Sequence, residues 1–241
     1  MTEFNKSNWA KPDFVQQYRD NADIYIVERR RMFEIMKSFY RYFISNKASV
    51  DILDLGCGDG IITHELLNID KSIRATLIDG SDDMLQKAKE RLKDYPDMLF
   101  QNISFQEIIQ QGQLNNTYDF IVSSQAIHHL KKDQKIKFYE IIYSHLHPAG
   151  FFMNTDVTIA PDDSLEQWYM KLWQEWMYIE KIAQDIEGDP FNDVISRYKE
   201  AEENQPDTIY EQLTMLKDIG FTNVDCYYKY GIFTVFGGMK Q

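Results

Sequence analysis

The stretch that most constrains this chain is Ile52–Gly60, Ile-Leu-Asp-Leu-Gly-Cys-Gly-Asp-Gly. Val50, Ile52, Leu53 and Leu55 read as a short buried strand, and the glycines that follow turn it into a helix. Gly56, Gly58 and Gly60 allow positive φ and a close approach of backbone to ligand, with no Cβ between them. The helix, expected from about Ile61 to Leu67, opens with unpaired N–H groups and the positive end of its dipole. A strand, a glycine turn and a helix make a nucleotide site of the Rossmann type when the surroundings agree.

Spacing sorts the possible nucleotides. A dinucleotide site follows G-x-G-x-x-G, which would place its third glycine at position 61, where Ile61 stands. The run present is D-x-G-x-G-x-G, from Asp54 to Gly60. Downstream, Ile73–Ile78 reads as a second strand, and Asp79 follows it 19 residues after Gly60. An acid at about that distance bonds the ribose hydroxyls in such sites, since a carboxylate accepts from two vicinal hydroxyls at once. The plainer reading of Asp79 is a helix cap. Ser81 fills that role better, with Met84, Leu85 and Ala88 as the apolar face behind it.

The two halves together resemble motif I and the downstream acid of the class I S-adenosylmethionine (SAM) dependent methyltransferases. The resemblance implies SAM as cofactor, S-adenosylhomocysteine as product, and a glycine loop that meets the methionine end of SAM. It implies Asp54, Gly56, Cys57, Gly58, Asp79, Gly80 and Met84 as cofactor-binding residues. Asn102 closes the third strand where the family often has an Asp that bonds the adenine amino group, and Ile103 would pack on the ring. Ser123 ends the fourth strand, which in this family lies under the sulfonium. A long N-terminal helix often folds over the cofactor in this family, which makes Tyr25 a candidate lid residue; a core or surface tyrosine is the alternative.

The stretch Ser123-Ser124-Gln125-Ala126-Ile127-His128-His129-Leu130 resembles motif IV of the small-molecule branch. It lacks the Asn-Pro-Pro-Tyr of enzymes that methylate base amino groups in DNA, and the Pro-Cys of those that attack C5 of cytosine. The Asp of metal-assisted catechol methyltransferases is missing too, and Ser123 to Gln125 offers a hard cation no site. His128 is the candidate general base, since an imidazole near neutral pH can take a proton from an acceptor; its alternative is a structural cap. His129 reads as a packing residue. His145 and His147, near a helix end where a cation suits the dipole, read as structural.

The chain's 241 residues, 44% of them hydrophobic, suffice for one domain with a large core. No apolar run approaches the roughly 18 residues of a membrane-crossing helix, and the N-terminus lacks a signal-like apolar core. Two cysteines, Cys57 and Cys226, suggest reduced thiols and a cytoplasmic setting. A net charge of −12 argues against a nucleic-acid footprint and suits a small acceptor, apolar or cationic.

Residues 1–22 are polar with scattered aromatics (Phe4, Trp9, Phe14, Tyr18), and one long helix is expected over 23–44, with Arg29, Arg30 and Arg31 on a solvated face. Strands and helices then alternate: strand 50–55, helix 61–68, strand 73–78, helix 82–93, strand 98–103, helix 104–110, strand 118–123, helix 132–146 and strand 150–157. Pro148-Ala149-Gly150 reads as the turn before the last of these strands. The expected fold class is α/β, a Rossmann-like doubly wound sheet of seven mostly parallel strands. An antiparallel C-terminal hairpin ends it, strands 223–230 and 232–238 around Gly231, after a helix over 206–219 that Gly220 stops. The expected organisation is a single domain over 1–241: a helical lid (1–47), a cofactor core (48–160), a helical cap insertion (161–205), and the last helix with the hairpin (206–241).

Within the insertion, Trp168, Leu172, Trp176, Ile179 and Ala183 share one helix face, with Tyr169, Trp173 and Met177 beside them. That width predicts either core plus a homodimer interface through 165–183, or a cap with aromatic walls over the acceptor. Gly188-Asp189-Pro190 should break the chain before a second helix at 191–203.

The leading function is methyl transfer from SAM to a small molecule. The N-terminal helix and Tyr227–Phe233 also look somewhat like carboxy-SAM synthases of tRNA wobble-uridine modification. Those enzymes need an Arg on the last helix; Met215 stands in its place, and no arginine occurs from 198 to 241. A SAM-binding protein without turnover is the third reading.

Overall fold

The computed structural model describes residues 11–188 and 190–241; Phe4, Trp9, Asp189 and the side chains of Phe14 and Tyr18 lie outside the described part. Seven strands form one sheet: β1 (Val50–Leu55), β2 (Ile73–Asp79), β3 (Met98–Asn102), β4 (Tyr118–Ser124), β5 (Leu146–Val157), β6 (Thr222–Tyr230) and β7 (Phe233–Met239). Their order is β3-β2-β1-β4-β5-β7-β6. The first five run parallel, and β7 pairs antiparallel with both β5 and β6. The order reverses at β1, and the crevice above the strand ends at such a switch point is where doubly wound sheets bind ligands.

Alternating side chains divide the core between the two faces of the sheet. Ile52, Ala75, Leu77, Phe120, Val122 and Met153 share one cluster. It is covered by α1 (Pro12–Tyr25), α2 (Arg29–Phe43), α3 (Ile61–Leu67), α4 (Asp82–Arg91), α7 (Asp163–Ala183) and α8 (Val194–Glu200). Leu53, Leu55, Ile78, Ile121, Phe152 and Phe236 face the other way, under α5 (Phe105–Gln111), α6 (Lys132–Ser144) and α9 (Ile209–Ile219). Several helix starts carry their caps. Ser104 with Glu107, and Thr208 with Glu211, form capping boxes on α5 and α9. Gly220, at φ 113°, stops α9 as expected.

Three expectations are corrected. The N-terminal helix is two helices, because the chain turns at Ile26–Glu28 and Glu28 adopts a left-handed φ of 55°. Ile26 and Val27 bury in the turn. Asp23 binds both Arg29 and Arg30 across it; Arg29 is largely covered in this clamp, while Arg30 and Arg31 are exposed on the solvated face expected for them. Secondly, β5 begins at Leu146, and Pro148-Ala149-Gly150 forms a bulge inside it, with register passing from Tyr118↔Leu146 to Phe120↔Phe151. A Cβ on Gly150 would stand 2.9 Å from the His147 carbonyl oxygen, so the bulge needs a glycine there. Thirdly, the helix expected at 191–203 is confined to Val194–Glu200.

Candidate functional site

The glycine turn between β1 and α3 is left-handed at each expected position: φ is 64° at Gly56, 55° at Gly58 and 75° at Gly60. The reasons differ. A Cβ on Gly56 would lie 2.6 Å from the Ala126 Cβ and 3.0 Å from the Phe105 ring, so no side chain fits. Gly58 has room, with Met84 Cε 3.8 Å from an added Cβ. Its own contribution is its amide, which donates to Asp79 Oδ2 at 2.8 Å.

Asp79 ends β2 with its other oxygen, Oδ1, accepting from the Ser81 amide at 2.8 Å. Burial pushes its carboxyl up to about 6, against those two backbone hydrogen bonds. Ser81 caps α4, as expected, by accepting from the Met84 amide. Gly56, Gly58, Asp79, Gly80 and Met84 all line one cavity of about 290 Å³.

Other residues expected at the site stand behind it. Asp54 is fully buried and accepts from the Thr63 hydroxyl at 2.7 Å. Its Oδ1 has no partner, and burial pushes its carboxyl up to about 7, with Asp79 and Asp59 adding to the rise. Cys57 is buried; its amide donates to the Ile78 carbonyl, which extends the pairing of β1 with β2 into the turn. Burial pushes the Cys57 thiol up, away from the reactive thiolate. The Ser123 hydroxyl donates to the Leu55 carbonyl at 2.7 Å and ties β4 to β1.

Asn102 is exposed and donates from Nδ2 to the Asp79 carbonyl at 3.1 Å, and the Ile103 amide donates to the same oxygen. The side chains lining the cavity here are instead Ser104, Phe105 and Gln106, at the start of α5. Tyr25 belongs to an aromatic group between the N-terminal helices and the insertion. Its carbonyl accepts from the Trp173 indole at 2.8 Å, and its ring meets Phe191 edge-on at 5.8 Å.

The histidine pair divides. His128 is buried in a short 3₁₀ turn, with Nδ1 2.6 Å from Asp156 Oδ1 and its amide donating to Asp156 Oδ2. Burial raises Asp156, but His128 together with donors from Asn154 and the Val157 amide more than offsets this and holds the carboxyl below its usual range. An ionised Asp156 requires N–H at His128 Nδ1. His128 does not line the cavity; His129 does. Burial, then the neighbouring His128, pushes His129 down to about 3, so it is neutral at physiological pH.

More of the cavity wall comes from Gln125 and Leu130, within the motif IV stretch, and from residues that motif reading passed over: Lys131 and Gln134, and from the end of the insertion Glu202, Glu203 and Gln205. The insertion segment is strapped down at several points. The Gln205 amide donates to the His128 carbonyl, the Glu203 carbonyl lies 3.2 Å from His129 Nδ1, and buried Lys135 binds Asp207 at 2.6 Å and the Gln205 carbonyl. Only the fold could reveal the part of this wall made by residues 202–205, because it returns about 80 residues after the β4 end it covers.

The aromatic helix does not supply that wall. Trp168, Trp173 and Trp176 are absent from the cavity lining. The buried stripe of α7 is Met170, Trp173 and Met177, while Trp168 and Ile179 are 53% and 59% exposed. The wider face thus holds its core contact on the stripe expected to be secondary.

A glycine turn tied to an acid at the end of the next strand, at the switch point of a 3-2-1-4-5-7-6 sheet, defines a Rossmann-like α/β fold. The model of the methyltransferase domain family matches residues 53–152. A carboxy-S-adenosyl-L-methionine synthase from Helicobacter pylori is 27% identical over 78% of this chain and 75% of its own length. A malonyl-[acyl-carrier protein] O-methyltransferase from Bacillus anthracis is 32% identical over 41% of this chain and 34% of its own. Among solved structures, magnesium protoporphyrin IX methyltransferase from Synechocystis with bound S-adenosylhomocysteine superposes with a TM-score of 0.65, at 12% identity, covering 97% of this chain and 96% of that one. An O-methyltransferase family protein from Burkholderia thailandensis superposes at 0.67 and 11% identity over 98% of this chain, which spans 63% of that protein's length. Residues 53–152 match the methyltransferase domain model, and the family match, the relatives and the shared fold together support a class I SAM-dependent methyltransferase with SAM as its cofactor.

Proposed function

We propose that the protein transfers the methyl group of SAM to a small-molecule acceptor. The observation that carries this reading is a single cavity whose walls run from Gly58 and Asp79 to Gln125, His129, Glu203 and Gln205. Its volume of about 290 Å³ lies at the small end of ligand sites. The chain's residues suit SAM. Gly58 and the left-handed turn leave backbone open to a ligand, and Asp79 is a carboxylate above pH 6, placed for ribose hydroxyls.

Bound SAM supplies a methyl already made electrophilic by its sulfonium. The chain's share is therefore alignment and exclusion of water. Asp79, braced by the Gly58 amide, holds the nucleoside end. The insertion strap, anchored through Lys135, closes the side of the cavity beyond β4. His129, neutral and in the wall, offers a hydrogen bond to an acceptor without placing a charge beside a sulfonium. His128 is buried and outside the wall, which supports a part in holding the β4 turn through Asp156 rather than in moving a proton. The acidic strap residues Glu202 and Glu203 favour a neutral or cationic acceptor over an anionic one.

Incubation with methyl-labelled SAM and a panel of small alcohols, amines and thiols tests the reading. Label should pass to one chemical class in the panel and be absent without protein. A chain that binds SAM but labels nothing in such panels is the non-catalytic binder instead.

Carboxy-SAM synthesis is the second reading, favoured by the relatives that align over most of the chain. Against it stands α9, which carries buried Met215 and no arginine. Mass spectrometry of the ligand that co-purifies from cells separates the two, because carboxy-SAM is heavier than SAM.

A further inference from the structure

We propose that Gln134 and Gln205 together select the methyl acceptor, holding a neutral molecule by an amide edge, a carbonyl group beside an N–H. This deepens the proposed methyl transfer and rests on the cavity being its site.

Both side chains line the cavity, and each has one end of its amide committed. Gln134, in the first turn of α6, accepts at Oε1 from the Lys131 amide at 3.0 Å. Gln205, in the strap, donates from Nε2 to the Glu202 carbonyl at 2.8 Å. A backbone N–H can meet only the oxygen of a glutamine amide, and a backbone carbonyl only its nitrogen. The two bonds therefore settle which way each amide faces. Gln134 keeps a donor, Nε2, to offer, and Gln205 keeps an acceptor, Oε1. Neither atom has a hydrogen-bond partner among the described residues.

The pair stands at one pinned end of the wall. Lys135, next to Gln134 and wholly buried, binds the Gln205 carbonyl and Asp207. The Asp207 carbonyl accepts from the Ile159 amide just beyond β5, so the strap runs past the end of that strand. Asp79 ends β2, three strands away in the order β2-β1-β4-β5, or roughly 14 Å at about 4.8 Å per strand. The strap is thus well separated from the acid assigned to the ribose. Leu130, buried in the same wall, offers apolar contact to the body of an acceptor.

One donor and one acceptor side by side complement a carboxamide or a lactam. A carboxylate presents acceptors only and would oppose the Gln205 oxygen; an ammonium presents donors only and would oppose the Gln134 amide nitrogen. The charged neighbours act in the same sense. Glu202 and Glu203 disfavour an anion at this end, and Lys131 disfavours a cation. A site that hydrogen-bonds its ligand in this way rejects analogues that leave its polar groups unpaired.

Three probes that share one ring, benzamide, benzoate and benzylamine, test this by ligand-observed NMR titration with S-adenosylhomocysteine bound. Benzamide should bind the wild-type chain most tightly. Gln134→Glu keeps the oxygen that accepts from Lys131, and so the helix start, but replaces the donor with an acceptor. It should weaken benzamide about 3- to 10-fold, the loss expected for one neutral hydrogen bond, and shift the preference toward benzylamine. Gln205→Leu should weaken benzamide by a similar factor. Affinity for S-adenosylhomocysteine should stay within about twofold in both variants, which also reports an intact fold. Benzoate or benzylamine binding the wild type as tightly as benzamide, no binding of benzamide, or benzamide binding unchanged in either variant overturns the proposal. So does a loss of S-adenosylhomocysteine affinity in the variants as large as that of benzamide, which would assign the glutamines to the cofactor. A wild-type chain that takes up no S-adenosylhomocysteine sinks the cofactor reading instead, and benzamide titrated into the unliganded chain then still tests the two glutamines.

Discussion

The amide of Gly58 donates to Oδ2 of Asp79 at 2.8 Å. The two sequence signals of the site, a glycine turn and an acid 21 residues further on, are thus one hydrogen-bonded unit. Asp79 both shapes the turn and offers its remaining lone pairs to a ligand. Loss of its charge acts twice.

The first prediction follows from that charge. Asp79 titrates near 6, and ribose hydroxyls and a cationic cofactor both prefer its ionised form. SAM affinity should be level above pH 7 and fall about tenfold for each unit below 6. Asp79→Asn should bind about 1–3 kcal/mol more weakly at pH 7.5 and lose the acid limb. Calorimetry at pH 7.5 and 5 checks both; an Asn variant that keeps the limb would show that another group titrates.

Stability should respond to pH through His129. Its folded pKa of about 3 lies below the ordinary value of about 6.5, so the unfolded chain takes up the proton first. The stability tied to the neutral ring is complete above 6.5 and lost as pH falls, at about 1.4 kcal/mol per unit. Asp54 and Asp79 act in the opposite sense. Their raised pKa values favour the folded state on protonation, and that contribution disappears as pH rises through 7 and 6. The His129 contribution is isolated by difference: urea unfolding at pH 7 and 5 should show a smaller loss for His129→Gln than for wild type.

Glycine substitutions should rank by space as well as by φ. Gly112 has a φ of 72° and nothing within 4 Å of an added Cβ, so Gly112→Ala should cost about 1–2 kcal/mol, the left-handed penalty alone. Gly56→Ala carries that penalty plus a collision with Ala126 and Phe105 and should cost clearly more, with SAM binding lost. Thermal unfolding of both variants tests the order; equal costs would mean that the turn relaxes freely.

Lys135 is wholly buried and bound to Asp207 and the Gln205 carbonyl. Lys135→Met strands a buried carboxylate and should cost about 3–5 kcal/mol. The double variant with Asp207→Leu should recover much of that, since removing both charges removes the stranded one. A double variant as unstable as the sum of the singles would show no coupling.

What the sequence made legible follows from how local each signal is. The strand β1 and the start of β2 lie where the apolar runs place them, because alternation along a two-sided parallel strand is a property of neighbouring residues. Gly56, Gly58 and Asp79 were readable for the same reason. The break at Glu28 was not, since a left-handed glutamate leaves no mark in apolar periodicity. Nor could α7 reveal which stripe is buried. An apolar band that wide fits the core in two rotations, and Tyr25, Phe191 and Phe233 decide between them from distant parts of the chain. The strap at 202–205 belongs to the same class. Its place depends on β5 lying beside β4 and on a buried lysine that brings the insertion back.

Asp59, the variable residue between the last two glycines of the turn, accepts from Arg19 on α1 and from Arg91 on α4. Two helices are thereby stitched to the loop through a single carboxylate, one from either side of it in the chain. Proteolytic nicking within α1 should therefore be felt as slackness where SAM docks. The opening segment acts less as a removable flap than as a guy-rope on the glycine turn.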